Sequence, residues 1–451
     1  MSALLHRALY YAAQAWRGED VLPRLAAMER NQWRSEDEVR ARQWRDLVKL
    51  LRHTWDTVPW YREHWGRAGL ASIDDLRGPE DWKRLPVLSK DDVRGNAERL
   101  RSSRAGAGLA AATSGSSGQP VSVFRSHASW ANAHANTIRG WHWHGVDVGD
   151  RYAYLWGVPL DEDARRVAAR KDAFFHRVRL SAFRIDRASA AAFHAELRSR
   201  PARWAFGYPS ALTAFAEEVA AAGLDGRALG WRVAVTTAEV LHEHQRERIA
   251  EVFGCAVANS YGCAEAGAGS FECEHGGMHL AMESTVVDAH PTPEGETEVL
   301  LTDLGNFAQP LVRYQVGDLV GPAPGRCGFG RGLPLLGALS GRAGDRIELA
   351  DGRRINANLP SYIFKHHAKE RTVREYQFVQ HPHGRIVLRV VAGPAWTEGT
   401  RGRLAGEVRE VLGFDATIDV VASIPRLGRA KHRDLVRAED AGEAPAAGGA
   451  A

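Results

Sequence analysis

The sequence predicts an α/β protein with a second, smaller α+β domain at its C-terminal end. Three observations carry that reading. Short apolar strands alternate with helical stretches from about residue 110 to 320. A turn-rich joint, Gly341-Arg342-Ala343-Gly344-Asp345, then interrupts the pattern. The length of 451 residues, 44% apolar and 25% charged, gives two or three domains with ample core.

From the N-terminus, residues 1–100 read as helical and rich in Trp and Arg, with turn signals at Val58-Pro59 and Leu85-Pro86. Residues 4–16 are amphipathic. Ser35-Glu36-Asp37-Glu38 is a capping-box start for a helix running towards Thr54. Val121-Ser122-Val123-Phe124 alternates as a strand does, and residues 152–156 and 232–235 are further short strands. A helix over 210–222 stops at Gly223. Behind the joint, Arg346-Ile347-Glu348-Leu349 leads to the Asp351-Gly352 turn. Strands are expected at 376–379, 386–391 and 417–423, with one amphipathic helix at 397–412. The division is 1–340 for the large domain (helical start 1–100, site-bearing part 110–340), 341–438 for the small one, and 439–451 for a disordered tail. No internal repeat is present.

Several function classes are excluded. The formal net charge is only +4 with both signs interleaved, which does not suit a polybasic nucleic-acid or membrane binder. No apolar run approaches the roughly 20 residues a membrane span needs. The 4–16 stretch contains His6 and Arg7 and lacks a small-residue cleavage site, so it is not read as a signal peptide. A cytoplasmic enzyme is the expectation. Four cysteines, Cys255, Cys263, Cys273 and Cys327, are too few for a disulfide scaffold.

The segment most suggestive of chemistry is Thr113-Ser114-Gly115-Ser116-Ser117-Gly118-Gln119-Pro120. Small residues let backbone N–H groups converge on an anion, and hydroxyls add donors, so a polyphosphate is the natural guest. Taken alone, the same run also reads as a flexible linker. Further segments follow in order: Thr236-Thr237-Ala238-Glu239-Val240-Leu241; Asn259-Ser260-Tyr261-Gly262-Cys263-Ala264-Glu265; Thr302-Asp303-Leu304 with Arg313-Tyr314-Gln315-Val316-Gly317-Asp318; Gly341-Arg342; and Pro425-Arg426-Leu427-Gly428-Arg429-Ala430-Lys431.

In that order and spacing the segments resemble the adenylate-forming (AMP-binding) superfamily, with likeness to the phenylacetate–CoA ligase branch and its capsule-biosynthesis-like relatives. The likeness runs from Val58-Pro59-Trp60-Tyr61 to about Val436. It implies a large N-terminal adenylation domain, a small mobile C-terminal domain, and two half-reactions. A carboxylate first attacks the α-phosphate of ATP, giving an acyl-adenylate and pyrophosphate. A nucleophile, commonly the thiol of coenzyme A, then displaces AMP.

The resemblance also assigns residues. Thr113, Ser114, Gly115, Ser116, Ser117 and Gly118 would hold the β- and γ-phosphates, with Gln119 where relatives usually carry Lys. Tyr261 would stack on adenine, Gly262 would let the ring approach, and Ala238 and Glu239 would line the adenine edge. Glu265 would hold Mg²⁺, with Ala264 in place of the usual hydroxyl residue. Asp318 would accept from the ribose hydroxyls and Arg342 would add a bond to the same sugar. Lys431 would be the catalytic lysine of the first half-reaction, and residues 341–345 the hinge; a frame through Gly428-Arg429 would put Arg there instead. Cys273, His279 and Cys327 would supply three ligands to a structural Zn²⁺, with His275 or water as a fourth, against a reading as ordinary core cysteines and surface histidines. Trp141, Trp143, Trp156 and Tyr208 are expected to line a pocket for an aromatic acid. The acceptor is coenzyme A, or alternatively an amine or a carrier-protein thiol. A non-catalytic nucleotide-binding descendant is a further alternative, and a homodimer is an open expectation.

Overall fold

The computed structural model describes residues 2–112, 121–157, 162–183, 185–292, 295–342, 346–349, 351, 353–356, 363–364, 366–367, 370–426 and 432–440. The 113–118 run, Gln119 and Lys431 lie outside the described residues, as do 343–345 of the joint and 441–451 of the tail.

The helical start is as the sequence reads. Helices span Ala3–Trp16, Val21–Asn31, Glu36–Thr57 and Pro59–Arg67. Ser35 closes a reciprocal capping box with Glu38, and three acidic residues fill the first turn where the helix dipole favours them. Trp60, Tyr61 and Trp65 then turn inward, and the Tyr61 hydroxyl donates to the carbonyl of Pro310 at 2.9 Å, tying this region to the site-bearing part.

An antiparallel hairpin follows, β1 (Gly108–Ala112) with β2 (Ser122–Ser126), whose register pairs Ala112 with Ser122. The 113–120 run therefore follows the Ala112–Ser122 end of this ladder in the chain. The outer edge of β2 is met by side chains from the 303–309 turn: the Ser126 amide donates to Asn306 Oδ1 at 3.1 Å and Asn306 Nδ2 donates to the Phe124 carbonyl at 3.0 Å.

The main sheet contains β3 (Tyr152–Trp156), β4 (Arg177–Ser181), β5 (Trp204–Gly207), β6 (Val233–Thr237), β7 (Ala256–Cys263), β8 (Gly267–Glu272) and β9 (Met278–Leu280), in the order β4-β3-β5-β6-β7-β8-β9. The first five are parallel, and the last two turn back antiparallel. Parallel strands are covered on both faces, which is why β3, β5 and β6 read as nearly continuous apolar runs. Phe193, Phe215, Trp231 and Phe253 pack one face beneath helices Arg187–Ser199, Pro209–Ala221 and Glu243–Phe253. Helix His127–Trp143 covers the other, with Val146, Tyr152, Trp204 and Phe271. It comes so close that a Cβ built on Gly140 would sit 2.2 Å from the Phe271 ring.

A second antiparallel sheet, β10 (Thr285–Pro291), β11 (Thr297–Asp303), β12 (Tyr314–Val320) and β13 (Leu339–Arg342), packs on the helical start. The sequence division placed 341–342 in the small domain. Instead Gly341 pairs with Leu319 and Arg342 with Asp318, so the large domain's sheet continues through Arg342.

The small domain holds the hairpin β14 (Arg346–Glu348) and β15 (Arg354–Asn356), and the sheet β16 (Val373–Gln380), β17 (Ile386–Ala392), β18 (Thr417–Val421) and β19 (Leu435–Arg437), ordered β18-β17-β16-β19. Helix Glu398–Glu407 lies on it through Leu404, and its continuation at Val408–Leu412 widens into a π turn before Gly413. No described helix is long and apolar enough to cross a membrane.

Gly140→Ala is expected to lower the unfolding free energy by about 1–3 kcal/mol, because the added methyl meets a buried, well-packed ring. Urea denaturation followed by fluorescence measures it; a stability change near zero would mean that helix and strand separate freely at this contact.

Candidate active site

The ends of the parallel strands set out the site. In an α/β sheet, ligands bind beyond the C-terminal edge, where the chain leaves one strand for the next helix. At that edge stand Trp156 at the end of β3, Tyr208 after β5, Ala238 and Glu239 after β6, and Tyr261 near the end of β7. Trp156 stacks on Tyr208 with ring centroids 4.1 Å apart. Ala238 adopts φ +70°, a left-handed conformation that a residue with a Cβ enters at a cost of about 1 kcal/mol. That turn brings Glu239 against the preceding helix, where Oε2 accepts from the Ser210 amide at 3.1 Å, in the first turn of Pro209–Ala221.

Tyr261, Asp318 and Arg342 come together from three strands. The Tyr261 hydroxyl donates to Asp318 Oδ2 at 2.9 Å, and Arg342 Nε donates to Asp318 Oδ1 at 3.2 Å. Burial, and then the Asp318 carboxylate, push the Tyr261 phenol well above its usual range, so it stays a donor. Gly262 follows on the exposed side. One turn on, Glu265 is buried and its Oε1 accepts from the Tyr314 hydroxyl at 3.1 Å. The carboxylates of Asp318 and Glu265 are thus each held by a tyrosine.

Beneath this pair lies a group that the sequence reading did not single out. Arg125, at the end of β2, is 2% exposed. Its guanidinium donates to Ser129 Oγ at 2.9 Å and to the Ala264 carbonyl at 3.3 Å, and stands 3.6 Å from Asp303. Ser129 also donates to Asp303. Burial pushes the Asp303 carboxyl up, against the pull of Arg125. Gly267 has φ +81°, and a Cβ there would lie 2.7 Å from the Arg125 guanidinium, so both backbone and space require glycine.

The small domain touches the large one next to Glu239. The His432 amide donates to Glu239 Oε1 at 2.6 Å. His242, the N-cap of helix Glu243–Phe253, places Nε2 3.3 Å from Asp434 Oδ2, and His432 Nε2 is 3.2 Å from Asp434 Oδ1. Burial alone would raise the Asp434 carboxyl, yet the two imidazoles bring it well below the usual range. Arg374 and Glu218 form a further link, 2.9 Å long.

Elsewhere, Cys273, His279 and Cys327 bring their ligand atoms within 4.8 Å of one another. The sulfurs are 3.8 Å apart, the separation of about 3.8 Å that two thiolates take on a tetrahedral zinc with bonds near 2.3 Å. His279 Nδ1 lies 3.0 Å from the Leu333 carbonyl, which fixes the ring, while Nε2 is buried with no partner among the described residues. Burial lowers the His279 pKa to about 4, keeping the ring neutral as a ligand must be. His275 stacks on Phe329 instead and does not join the group.

Residues 111–317 match the model of the AMP-binding enzyme family. The chain is 26% identical to a phenylacetate–coenzyme A ligase of Pseudomonas putida over 69% of this chain and 72% of that one. It is 28% identical to a phenylacetate–coenzyme A ligase of Thermus thermophilus, with the same coverage. The likeness to AMP-binding enzymes thus covers the part of the chain that holds Ala238, Glu239, Tyr261 and Glu265. Among solved structures, the chain overlaps 2-hydroxyisobutyryl-CoA ligase in its postadenylation state with a TM-score of 0.74, at 20% identity over 91% of both chains. Against the thioesterification state of the same ligase the TM-score is 0.60, at 20% identity over 90% of this chain and 91% of that one.

Of the residues named from sequence, Ala238, Glu239, Tyr261, Gly262, Glu265, Asp318 and Arg342 fall at this edge of the fold. Trp156 and Tyr208 join them. Trp141 and Trp143 do not: Trp141 packs on Trp204 at 4.9 Å, at the opposite end of β5, and Trp143 donates to Gln32 Oε1 at 2.7 Å beside His279. They are packing residues, because the last turns of helix His127–Trp143 reach the N-terminal ends of the strands. Asp303 is named from sequence only within the Thr302-Asp303-Leu304 segment, and Arg125, His242, His432 and Asp434 are not singled out, since nothing local distinguishes them from surface charges.

Arg125→Ala leaves the Asp303 carboxylate buried without its cation, and the expected loss of stability is about 3–5 kcal/mol. Denaturant unfolding of Arg125→Ala beside Arg125→Ala/Asp303→Ala reads it, and the double variant should recover part of the loss.

Proposed function

We propose that the chain activates a carboxylic acid with ATP and passes the acyl group to coenzyme A. The observation that carries this reading is the convergence of Tyr261, Asp318 and Arg342 beside Glu265, at the strand ends of an AMP-binding fold. In the first step a carboxylate oxygen bonds to the α-phosphorus of ATP, and the bond to the β-phosphate breaks, releasing pyrophosphate. In the second, the thiol sulfur bonds to the acyl carbon, its proton is lost, and AMP leaves.

In this reading Asp318 takes the ribose hydroxyls, exchanging the Tyr261 and Arg342 hydrogen bonds for those of the sugar, and Tyr261 meets the adenine ring. Glu265 offers hard carboxylate oxygens of the kind Mg²⁺ takes, and the ion would screen the phosphate charge. Residues 113–118 hold the departing pyrophosphate, and Lys431 bridges carboxylate and phosphate as charge develops. Gln119 and Ala264 leave the site one cation and one hydroxyl poorer than the family pattern. Stacked Trp156 and Tyr208 suit a planar, aromatic acid. Coenzyme A is preferred to an amine or a carrier-protein thiol because the curated relatives are named as coenzyme A ligases.

Exchange of labelled pyrophosphate into ATP, screened over aromatic acids including phenylacetate, tests the reading; no exchange with any acid would sink it. Asp318→Asn should raise KM for ATP about tenfold or more, the worth of one charge-assisted hydrogen bond, with a smaller fall in kcat. Product analysis with coenzyme A against amines then identifies the acceptor.

The Cys273, His279 and Cys327 group fits a structural zinc, with water or a residue outside the described set as fourth ligand. Elemental analysis of the purified chain should find about one zinc per chain, and Cys327→Ser should lose it together with thermal stability. A metal-free wild type of unchanged melting temperature would assign the cysteines to plain packing.

A further inference from the structure

Helix Ala3–Trp16 is amphipathic in the inverted sense. His6, Tyr10 and Gln14 face inward and are buried, and His6 Nδ1 lies 3.3 Å from the Phe174 carbonyl. Arg7 pairs with Asp147 at 2.9 Å, and just past the helix the buried Glu19 stands 3.1 Å from His134. These polar contacts fix which side of the helix turns in. The outward positions 4, 5, 8, 9, 12, 15 and 16 are all Leu, Ala or Trp, with Leu4 72% and Trp16 90% exposed. Polar groups are buried here while leucines stand in water, the reverse of the ordinary order, and such a face marks a contact surface. From the exposure of its residues it offers roughly 600 Å² of apolar area, as much as the largest patch a monomer ordinarily carries. Two such faces brought together remove roughly 1,200 Å² from water, the lower bound for a stable interface.

The face also fits itself. Leu5, Leu9, Ala12 and Trp16 follow the 4-3-4 spacing of a helix–helix seam. About a two-fold axis across the middle of the helix, Leu5 meets Trp16 of the partner subunit, and Leu9 meets the small Ala12 of the partner subunit. No charge on the face opposes that pairing. A lipid surface would ask for free cations beside the leucines, but Arg7 is held by Asp147, and Arg17 by Glu19 at 3.2 Å. We propose that helix Ala3–Trp16 is a homodimer interface, laid antiparallel on the same helix of a second copy of this chain. The pairing is independent of the chemistry at the strand ends.

Sedimentation equilibrium of the full chain, from low to high micromolar concentration, tests it. The wild type should sediment as a dimer. Leu9→Glu sets two carboxylates into the seam and should raise the dimer dissociation constant about a hundredfold or more. Ala12→Trp fills the small position opposite Leu9 without adding charge, and should also drive the chain towards monomer. Val411→Glu, at a comparably exposed apolar residue of the small domain, should leave the dimer intact. Should Leu9→Glu lose helical circular dichroism, Ala12→Trp decides. A wild type that stays monomeric throughout overturns the pairing, whether or not it binds vesicles of anionic lipid. A dimer that Leu9→Glu and Ala12→Trp both leave intact overturns it as well, because the contact then lies elsewhere.

Discussion

Arg125 is the group on which the site depends. One buried guanidinium locates the end of the hairpin that flanks the 113–120 run, the first turn of helix His127–Trp143, the Ala264 carbonyl next to Glu265, and the end of β11 at Asp303. At 3.6 Å and an effective dielectric near 20, its attraction to Asp303 is about 4–5 kcal/mol, and desolvating each ion costs several kcal/mol in return. The two terms nearly cancel. The pair therefore contributes register more than net stability, and a planar fork with several donors in fixed directions does this better than a lysine would. The Trp130 face, 4.4 Å from the guanidinium carbon, closes the remaining side.

Local signals were legible in the sequence, and distant pairings were not. The Ser35 capping box, the helix ending before Gly223 and the 152–156 strand depend on neighbours within a few residues, and each stands where it was read. The family pattern located Tyr261, Glu265, Asp318 and Arg342 one by one. Their mutual bonds depend on the register of three strands from two sheets, with 57 residues between Tyr261 and Asp318. Aromatic density around 141–143 misled because composition does not tell which end of a strand a neighbouring helix reaches. The boundary at 341 was drawn on turn-forming residues, yet cross-strand pairing with β12 carries the ladder through Arg342.

Two carboxylates in this site illustrate how a protein keeps acidic groups ready at little cost. Asp318 and Glu265 are each met by a phenol that burial keeps protonated. A neutral donor satisfies the oxygen without cancelling its charge, so Glu265 remains attractive to a cation, whereas at Asp318 the Arg342 guanidinium at 3.2 Å offsets part of the charge that Tyr261 leaves. A lysine in either place would hold the carboxylate more tightly and neutralise it.

The small domain is fastened to the large one near both ends of its own chain: at the start through Arg342 in the ladder with β12, and at the end through His432 and Asp434. Were the second fastening lost, the first would still leash the two bodies. A contact between two bodies of one chain is intramolecular, and so needs far less binding energy than the same contact between two separate proteins.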